Sequence, residues 1–350
     1  MWISSISAII RSRAIPVLVD SDQTLGVDPE DLEVKISERT KVIMVVPMLG
    51  GSSKIGEIME VVRNVNNSRK KDNLSKIFVL EDCAQSLGAH AFGIPGSSQA
   101  SLPEGCYKLG TFGDIGTFSL QLNKDITAGE GGMVVTRDKE LNDRVDALHN
   151  AGYIKKEKNN INWYGDIPYG WGHGRRMSEL QGAVARVQLK KLDSILDNIR
   201  KNHSFFEEFF KKQGIKLRKR AYQNNPGDTG YYLCFHLPEN LDDNTAISKG
   251  REIAKDLKDK GFNVWFLHDF EVHIYYNIEP LVKKFPMNDG SPWEDPKNSF
   301  HTQYKYDRGA LPNLDHLLIR TIGLNMPSKM SDNTRDNMMN DLLVTLKNLY

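Results

Sequence analysis

Over its first 136 residues the chain alternates between strand-like and helix-like hydrophobic patterns, and this restricts the fold more than any single motif does. Short apolar runs at 14–20 (AIPVLVD), 41–46 (KVIMVV), 76–82 (KIFVLED) and 131–136 (GGMVVT) read as strands. Between them, KIGEIMEVVRNV at 54–65 carries Ile55, Ile58, Val61 and Val62 at helical spacing, and KELNDRVDALHN at 139–150 reads as a further helix. Asp28 followed by Pro29 gives an N-cap and a first-turn proline, so a helix is predicted from there toward Ser37. This order predicts an α/β domain around a mainly parallel sheet.

Farther along, one long amphipathic helix is predicted from Met177 through Leu180, Val184, Val187, Leu192 and Ile195 to about Ile199. After it, strands at 231–237 and 262–267 mix with helices at 246–261 and from Ser331 onward. That mixture reads as a smaller α+β domain, so the chain divides into a large domain over 1–200 and a small one over 201–350. Two stretches, 94–107 and 151–175, are rich in Gly, Pro or aromatics and read as loops. Loops of that length inside a domain are more often functional than idle.

Bulk properties exclude several function classes. Lys+Arg (46) and Asp+Glu (45) nearly cancel, so no global field draws nucleic acid or an anionic membrane surface, and any phosphate must be held by a local site. The longest apolar runs are strand-sized and too short to span a bilayer. The first 20 residues lack a basic lead, a long apolar core and a small-residue cleavage site. Cys83, Cys106 and Cys234 form no CxxC pair, and an odd number suggests reduced thiols; the expected location is cytoplasmic. There is no P-loop, HExxH, GxSxG or clustered Cys/His set, and no metal site is expected. GWGHGR at 170–175 lacks the third glycine and the preceding strand of a dinucleotide fingerprint.

Four segments remain: EDCAQS (81–86) closing a buried strand, FGDIGTFSLQLNK (112–124), DITAGEGG (125–132) and GRRMSELQGAVARVQLKKLD (174–193). Open α/β sheets build ligand sites at the carboxyl ends of their strands. A carboxylate there, with a lysine in a Gly-bounded loop, is what pyridoxal phosphate chemistry needs. The amine forms a Schiff base with the aldehyde, and the carboxylate keeps the pyridine nitrogen protonated so that the ring acts as an electron sink. The lysine must shed its proton near neutral pH, which desolvation favours.

Taken in order, EDCAQSLGA, GDIGTFSLQLNK, TAGEGGMVVT and RRMSELQGAVARVQLKKLD resemble the DegT-type sugar aminotransferases, and the similarity extends over nearly the whole chain. The resemblance implies an aspartate-aminotransferase-like (fold type I) α/β enzyme. It also implies pyridoxal 5'-phosphate as cofactor, and transfer of an amino group from glutamate or glutamine to a keto sugar, nucleotide-linked or of the octulosonate type, in surface-polysaccharide or amino-sugar biosynthesis. MLGGSSKIGEI and the HIYYNIEPL region (273–281) look most like the octulosonate branch. A homodimer with shared active sites is implied too.

By the same resemblance, Lys124 is the Schiff-base lysine and later the base that moves a proton. Asp82 contacts the pyridine nitrogen, Gln85 lies near the ring hydroxyl, and Ser119 contacts the phosphate. Trp2 stacks on the ring, in WISSISAI. Glu130 orders its loop through backbone bonds, and His268 and Arg175 reach substrate. Three departures stand out. Relatives carry a Gly-Thr-Ala-like phosphate-binding turn ahead of the Trp2 position, so the resemblance implies an N-terminally truncated member. Gly174 stands where the family has an asparagine reaching the neighbouring subunit's phosphate, and 94–107 is an insertion. Two other readings follow from these residues: a non-catalytic remnant of the fold, or a related sugar dehydratase, which would carry histidine where this chain has Lys124.

Overall fold

The computed structural model describes residues 1–96, 104–153, 169–222 and 227–347. In chain order the first elements are α1 (Ile3–Arg11), α2 (Pro29–Lys35), β1 (Val42–Val45), α3 (Ile55–Lys71), β2 (Phe78–Asp82), β3 (His90–Gly93), β4 (Gly105–Lys108), β5 (Ile115–Ser119) and β6 (Gly132–Val135). Then come α4 (Lys139–His149), α5 (Glu179–Leu189), α6 (Leu192–Lys212), β7 (Tyr232–His236), α7 (Asp243–Asp259), β8 (Val264–Phe266), α8 (Glu279–Val282), α9 (Pro312–Leu318), β9 (Thr321–Asn325) and α10 (Asp332–Leu346).

Two compact units result, one of Glu38–Pro47 and Ile55–Ile195, the other of Met1–Ser37, Met48–Lys54 and Leu196–Tyr350. The units follow contacts rather than chain order, so 1–37 and 48–54 group with the C-terminal chain.

In the first unit the sheet order is β1-β2-β5-β6. β1, β2 and β5 run parallel, and β6 closes the row antiparallel to β5. The predicted α3 forms and runs longer than its sequence pattern, with Ile55, Ile58, Met59 and Val62 wholly removed from solvent. Burying each such side chain stabilises by about 1.5–3 kcal/mol. Its last turn is tied down by Arg69, whose guanidinium donates to the carbonyls of Ser75 (2.8 Å) and Glu38 (3.0 Å). The 94–107 stretch is not loop throughout: Cys106 and Tyr107 pair with Phe92 and Ala91 in an antiparallel β3–β4 ladder. Its residues 97–103 lie outside the described residues, as do 154–168 of the second predicted loop; 169–175 has no regular structure.

In the other unit, β7-β9-β8 form an antiparallel sheet, as a smaller α+β unit requires. The strand predicted at 14–20 is not a ladder strand. Burial alternates along it from Ile15 to Asp20, but side chains meet its polar groups. The Tyr306 hydroxyl donates to the Pro16 carbonyl (2.6 Å), and the Asp20 N–H donates to Asp31 (2.7 Å). Asp20 in turn caps α9, accepting from the amides of Asn313 (3.0 Å) and Leu314 (2.9 Å), where that helix has no side-chain cap of its own. The single helix predicted over 177–199 is two. A turn at Lys190–Lys191, with the Lys191 N–H donating to the Gln188 carbonyl (2.9 Å), separates α5 from α6. Leu180, Val184 and Val187 of α5 are left exposed, whereas Leu192, Leu196 and Ile199 of α6 are buried.

Among the described residues no helix is long and apolar enough to cross a membrane, and no group of His, Cys, Asp or Glu could hold a metal ion.

Candidate active site

Three residue pairs align β2 with β5: Leu80 with Ile115, Glu81 with Gly116, and Asp82 with Thr117. Because the strands are parallel, both leave the sheet at one edge, where Asp82 ends β2 and Ser119 ends β5. Beyond Asp82 the chain turns at once. The Cys83 N–H donates to the Thr117 carbonyl (2.9 Å), the Ser86 N–H to the Cys83 carbonyl (3.1 Å) and the Ala84 N–H to Asp82 Oδ1 (3.3 Å). Half-buried Gln85 lies within this turn.

Beyond Ser119 the chain makes a loop closed at its neck by Leu120, itself fully buried. Leu120 donates to the Gly131 carbonyl (2.9 Å) and accepts from the Ala128 N–H (3.0 Å) and the Thr127 hydroxyl (3.1 Å). Lys124 starts its own tight turn inside this loop, its N–H donating to the Gln121 carbonyl (3.1 Å). Ser119 Oγ accepts the Gln121 N–H at 3.3 Å, which leaves the hydroxyl hydrogen for an acceptor. Gly131 has φ +144°, and a Cβ there would stand 2.7 Å from the Met177 sulfur. The loop therefore returns to β6 on a path that only glycine follows.

Lys124 is half-buried, and desolvation lowers its proton affinity from the ordinary lysine value; the charges of Asp82 and Asp125 act in the opposite direction. The Asp82 carboxylate is thus near enough to be felt at the amine. A lysine in this balance gives up its proton more readily than a solvated one, as a nucleophilic amine must.

The structure gathers Asp82, Gln85, Ser119 and Lys124 into one unit at the carboxyl edge of the parallel strands. Arg175 belongs to that unit and is exposed, next to Gly174 with φ +63°. Gly174 occupies the left-handed region, where asparagine is the commonest alternative to glycine, and among the described residues a Cβ would meet only Ala151, at 3.9 Å. The Glu130 side chain is exposed, and its carbonyl accepts from Gln181 Nε2 (3.0 Å), so its loop is tied through backbone to the start of α5.

Trp2 and His268 belong to the other unit. Trp2 precedes α1 with its ring 4.6 Å from that of His273. His268 Nδ1 lies 2.9 Å from Asp269, which Arg251 grips with two bonds (2.9 and 2.8 Å), and its ring stacks on Phe266. These contacts give His268 a structural anchor.

Two acids went unassigned at the sequence level. Asp125 bears on Lys124, and Glu81 is fully buried beside Asp82. The signal for Glu81 was visible as two consecutive acids closing an otherwise apolar strand, because neighbouring strand residues face opposite sides and one of the two must point away from the ligand edge.

The DegT/DnrJ/EryC1/StrS aminotransferase family model matches residues 1–285. GDP-perosamine synthase of Escherichia coli O157:H7 is 36% identical over 200 residues, 57% of this chain and 47% of that protein. L-glutamine:2-deoxy-scyllo-inosose aminotransferase of Streptoalloteichus tenebrarius is 30% identical over 248 residues, 68% of this chain and 51% of that protein. The chain thus spans about half the length of these curated relatives. The solved structure of Spr1654 from Streptococcus pneumoniae, in its PLP-form and its PMP-form, superposes with a TM-score of 0.73 at 19% identity, covering 100% of this chain and 80% of that one. That similarity establishes the fold, the fold type I α/β architecture with its mixed, mainly parallel sheet. With the fold matched and most of the chain covered by the family model, this chain belongs to the DegT/DnrJ/EryC1/StrS aminotransferase family.

Proposed function

We propose that this chain is a pyridoxal phosphate-dependent aminotransferase that moves an amino group from glutamate or glutamine to a keto sugar. The observation that carries the reading is Lys124: a half-buried amine in a closed Gly-bounded turn, its proton affinity lowered by desolvation, within the field of the acid that ends β2. The residues present fit the cofactor. Lys124 Nζ would hold its aldehyde carbon, Asp82 its pyridine nitrogen, Gln85 its ring hydroxyl and Ser119 its phosphate. When bound, the cofactor supplies an electron sink that stabilises negative charge on the amino-bearing carbon of the donor. Asp82 would keep a proton on the ring nitrogen, and Lys124 Nζ would serve as the base that carries a proton between the reacting carbons.

The named sugar and inositol relatives support a polyhydroxylated keto acceptor, and the glutamine named in one of them supports that donor. Within this reading the sugar is nucleotide-linked or of the octulosonate type, contacted by Arg175, and the product enters surface-polysaccharide or amino-sugar synthesis in the cytoplasm. By the family resemblance the cofactor domain is 1–200 and the small domain 201–350, although 1–37 and 48–54 group by contacts with the C-terminal chain. A homodimer is part of the same proposal. Its support is α5, none of whose residues is buried and whose Leu180, Val184, Val187 and Leu189 face outward.

Purified protein given pyridoxal phosphate should develop a visible absorbance band that Lys124→Ala abolishes, and should form an amino sugar by mass spectrometry when supplied with glutamine and a nucleotide-linked keto sugar. A wild-type protein that develops no such band contradicts the reading.

A further inference from the structure

Glu81 is wholly buried, yet no arginine or lysine side chain bonds its carboxylate among the described contacts. Its Oε2 accepts the Gly110 N–H at 2.8 Å, and its Oε1 accepts the N–H groups of Phe112 and Gly113, both at 2.7 Å. A run of amides converging on an anion is a nest of the kind that binds phosphates. Here the anion is a side chain of the neighbouring strand. Burial pushes the Glu81 carboxyl above its ordinary range, while the three amides, and after them the charge of Arg137, pull it back toward the ionised form.

The turn that forms the nest has little room elsewhere. Gly110 has φ +83°, and a Cβ on it would stand 2.3 Å from the Phe118 ring; a Cβ on Gly113 would stand 2.6 Å from the Val79 carbonyl oxygen. Asp114, the next residue, exchanges bonds with Val79, accepting its N–H (2.7 Å) and donating to its carbonyl (2.8 Å). This turn feeds β5, whose ladder with β2 is only the three pairs from Leu80–Ile115 to Asp82–Thr117. Ser119 lies two residues past the last pair, and Lys124 five residues past Ser119. A slip of one residue would turn Thr117 and Ser119 to the opposite face, and so short a ladder resists slippage weakly by itself.

We propose that Glu81 is a positioning residue for the cofactor site: by filling the amide nest of the 110–113 turn it fixes the register of β5 against β2, and so sets Ser119 and Lys124 relative to Asp82. The proposal rests on the reading of Lys124 as the cofactor lysine. Adjacent strand residues point to opposite faces, so one acid of the pair anchors the sheet from one side while the other serves the ligand edge. Glu81→Gln tests this with minimal change of shape. The amide keeps one acceptor oxygen, but its NH2 meets at least one backbone N–H, donor against donor.

The experiment compares wild type, Glu81→Gln, Lys124→Ala and Val62→Ala. The last removes methyl groups from the fully buried face of α3, outside the β2–β5 seam, as a control for lost stability. Each is melted without cofactor, then titrated with pyridoxal phosphate. The adduct is reduced by sodium borohydride, and the labelled lysine is located by peptide mass spectrometry. We expect Glu81→Gln to need at least tenfold more cofactor for half-labelling of Lys124, while Val62→Ala labels as wild type does. Equal labelling by Glu81→Gln and wild type overturns the proposal, as does an equal loss in both destabilised variants. If Glu81→Gln fails to fold, amide exchange in wild type decides. Reciprocal linkage requires the Gly110, Phe112 and Gly113 amides to exchange severalfold more slowly once cofactor is bound, and unchanged exchange overturns it. Failure of wild type to label Lys124 defeats the site assignment itself, and Glu81 positioning falls with it; that outcome is distinct from normal wild-type labelling with an indifferent Glu81→Gln.

Discussion

Replacing Gly116 by alanine places a methyl group where the β2–β5 seam has no space. The added Cβ would stand 2.0 Å from the Gly110 carbonyl oxygen and 2.6 Å from the Gly110 Cα. A tolerable C···O approach is about 3.3 Å, so the turn would have to retreat by more than about 1 Å. Retreat is opposed from the other side, because Glu81 holds the amides of Gly110, Phe112 and Gly113. Gly116 is in ordinary strand conformation, so alanine incurs no left-handed backbone strain and the effect is steric alone. Overpacking costs about 1–3 kcal/mol. Pulling one amide from a charged acceptor costs about another 1.5–3 kcal/mol. Together these predict a loss near 3–5 kcal/mol for the unit that carries Lys124, read as a fall of at least about 6 °C in its thermal transition at about 2–4 °C per kcal/mol. Native-state exchange at the Val79 and Phe112 amides would assign the loss to this seam. A Gly116→Ala protein within about 0.5 kcal/mol of wild type, with unchanged exchange at both amides, would show that the turn yields freely and refute the argument for a rigid nest.

Three further outcomes follow from charges. Asp82→Asn removes an anion that raises the Lys124 proton affinity, so in cofactor-free protein the half-point for acylation of Lys124 should move to lower pH; a shift upward, or none, contradicts the coupling of the two residues. Glu207 is held at about 2, first by His203, whose Nδ1 lies 3.6 Å from its carboxylate, and further by Lys211 and Arg220. A carboxyl depressed in the folded state stabilises above its unfolded pKa of about 4.3 and loses that contribution as pH falls toward 2. Wild type should therefore lose stability between pH 4.5 and 2.5 more steeply than Glu207→Gln, and parallel curves in denaturant titrations would count against it. Arg218 and Asp228 form a buried pair at 2.6 Å, with Asp228 also accepting from the Ser52 N–H (2.9 Å) and hydroxyl (2.7 Å). Asp228→Ala strands the guanidinium and should cost about 3–5 kcal/mol, measured by chemical denaturation, whereas Arg218→Met with Asp228→Leu should cost less.

The sequence was most legible where one short segment carries both the element and its chemistry. Asp28 caps α2 through its bond to the Glu30 amide (3.0 Å) as Asp-Pro implies, and β2 ends at Asp82 as the apolar run with two acids implies. It was least legible where the outcome depends on partners far along the chain. The run at 14–20 has strand composition, but Tyr306 and Asp31 take the backbone groups that a ladder would use. The break at Lys190–Lys191 leaves no mark in an apolar pattern that continues through it. Cys106 and Tyr107 lie among Gly, Pro and Ser, and only their pairing with Phe92 and Ala91 makes them a strand.

Glu81 and Asp82 show why a site can be half-read from sequence. Both are acids at the end of one strand, and composition gives no reason to assign them different work. The pleat separates them. It turns Glu81 into a dry interior where an anion persists only if donors surround it, and the three amides of a Gly-rich turn are those donors. It leaves Asp82 at the edge where the strands end, within reach of the lysine loop that the same turn launches. The glycines at 110, 113 and 116 are then part of the same device: each sits where a Cβ would strike Phe118, Val79 or Gly110. Their spacing through KLGTFGDIG is the record, in sequence, of how closely the nest must approach the strand it grips.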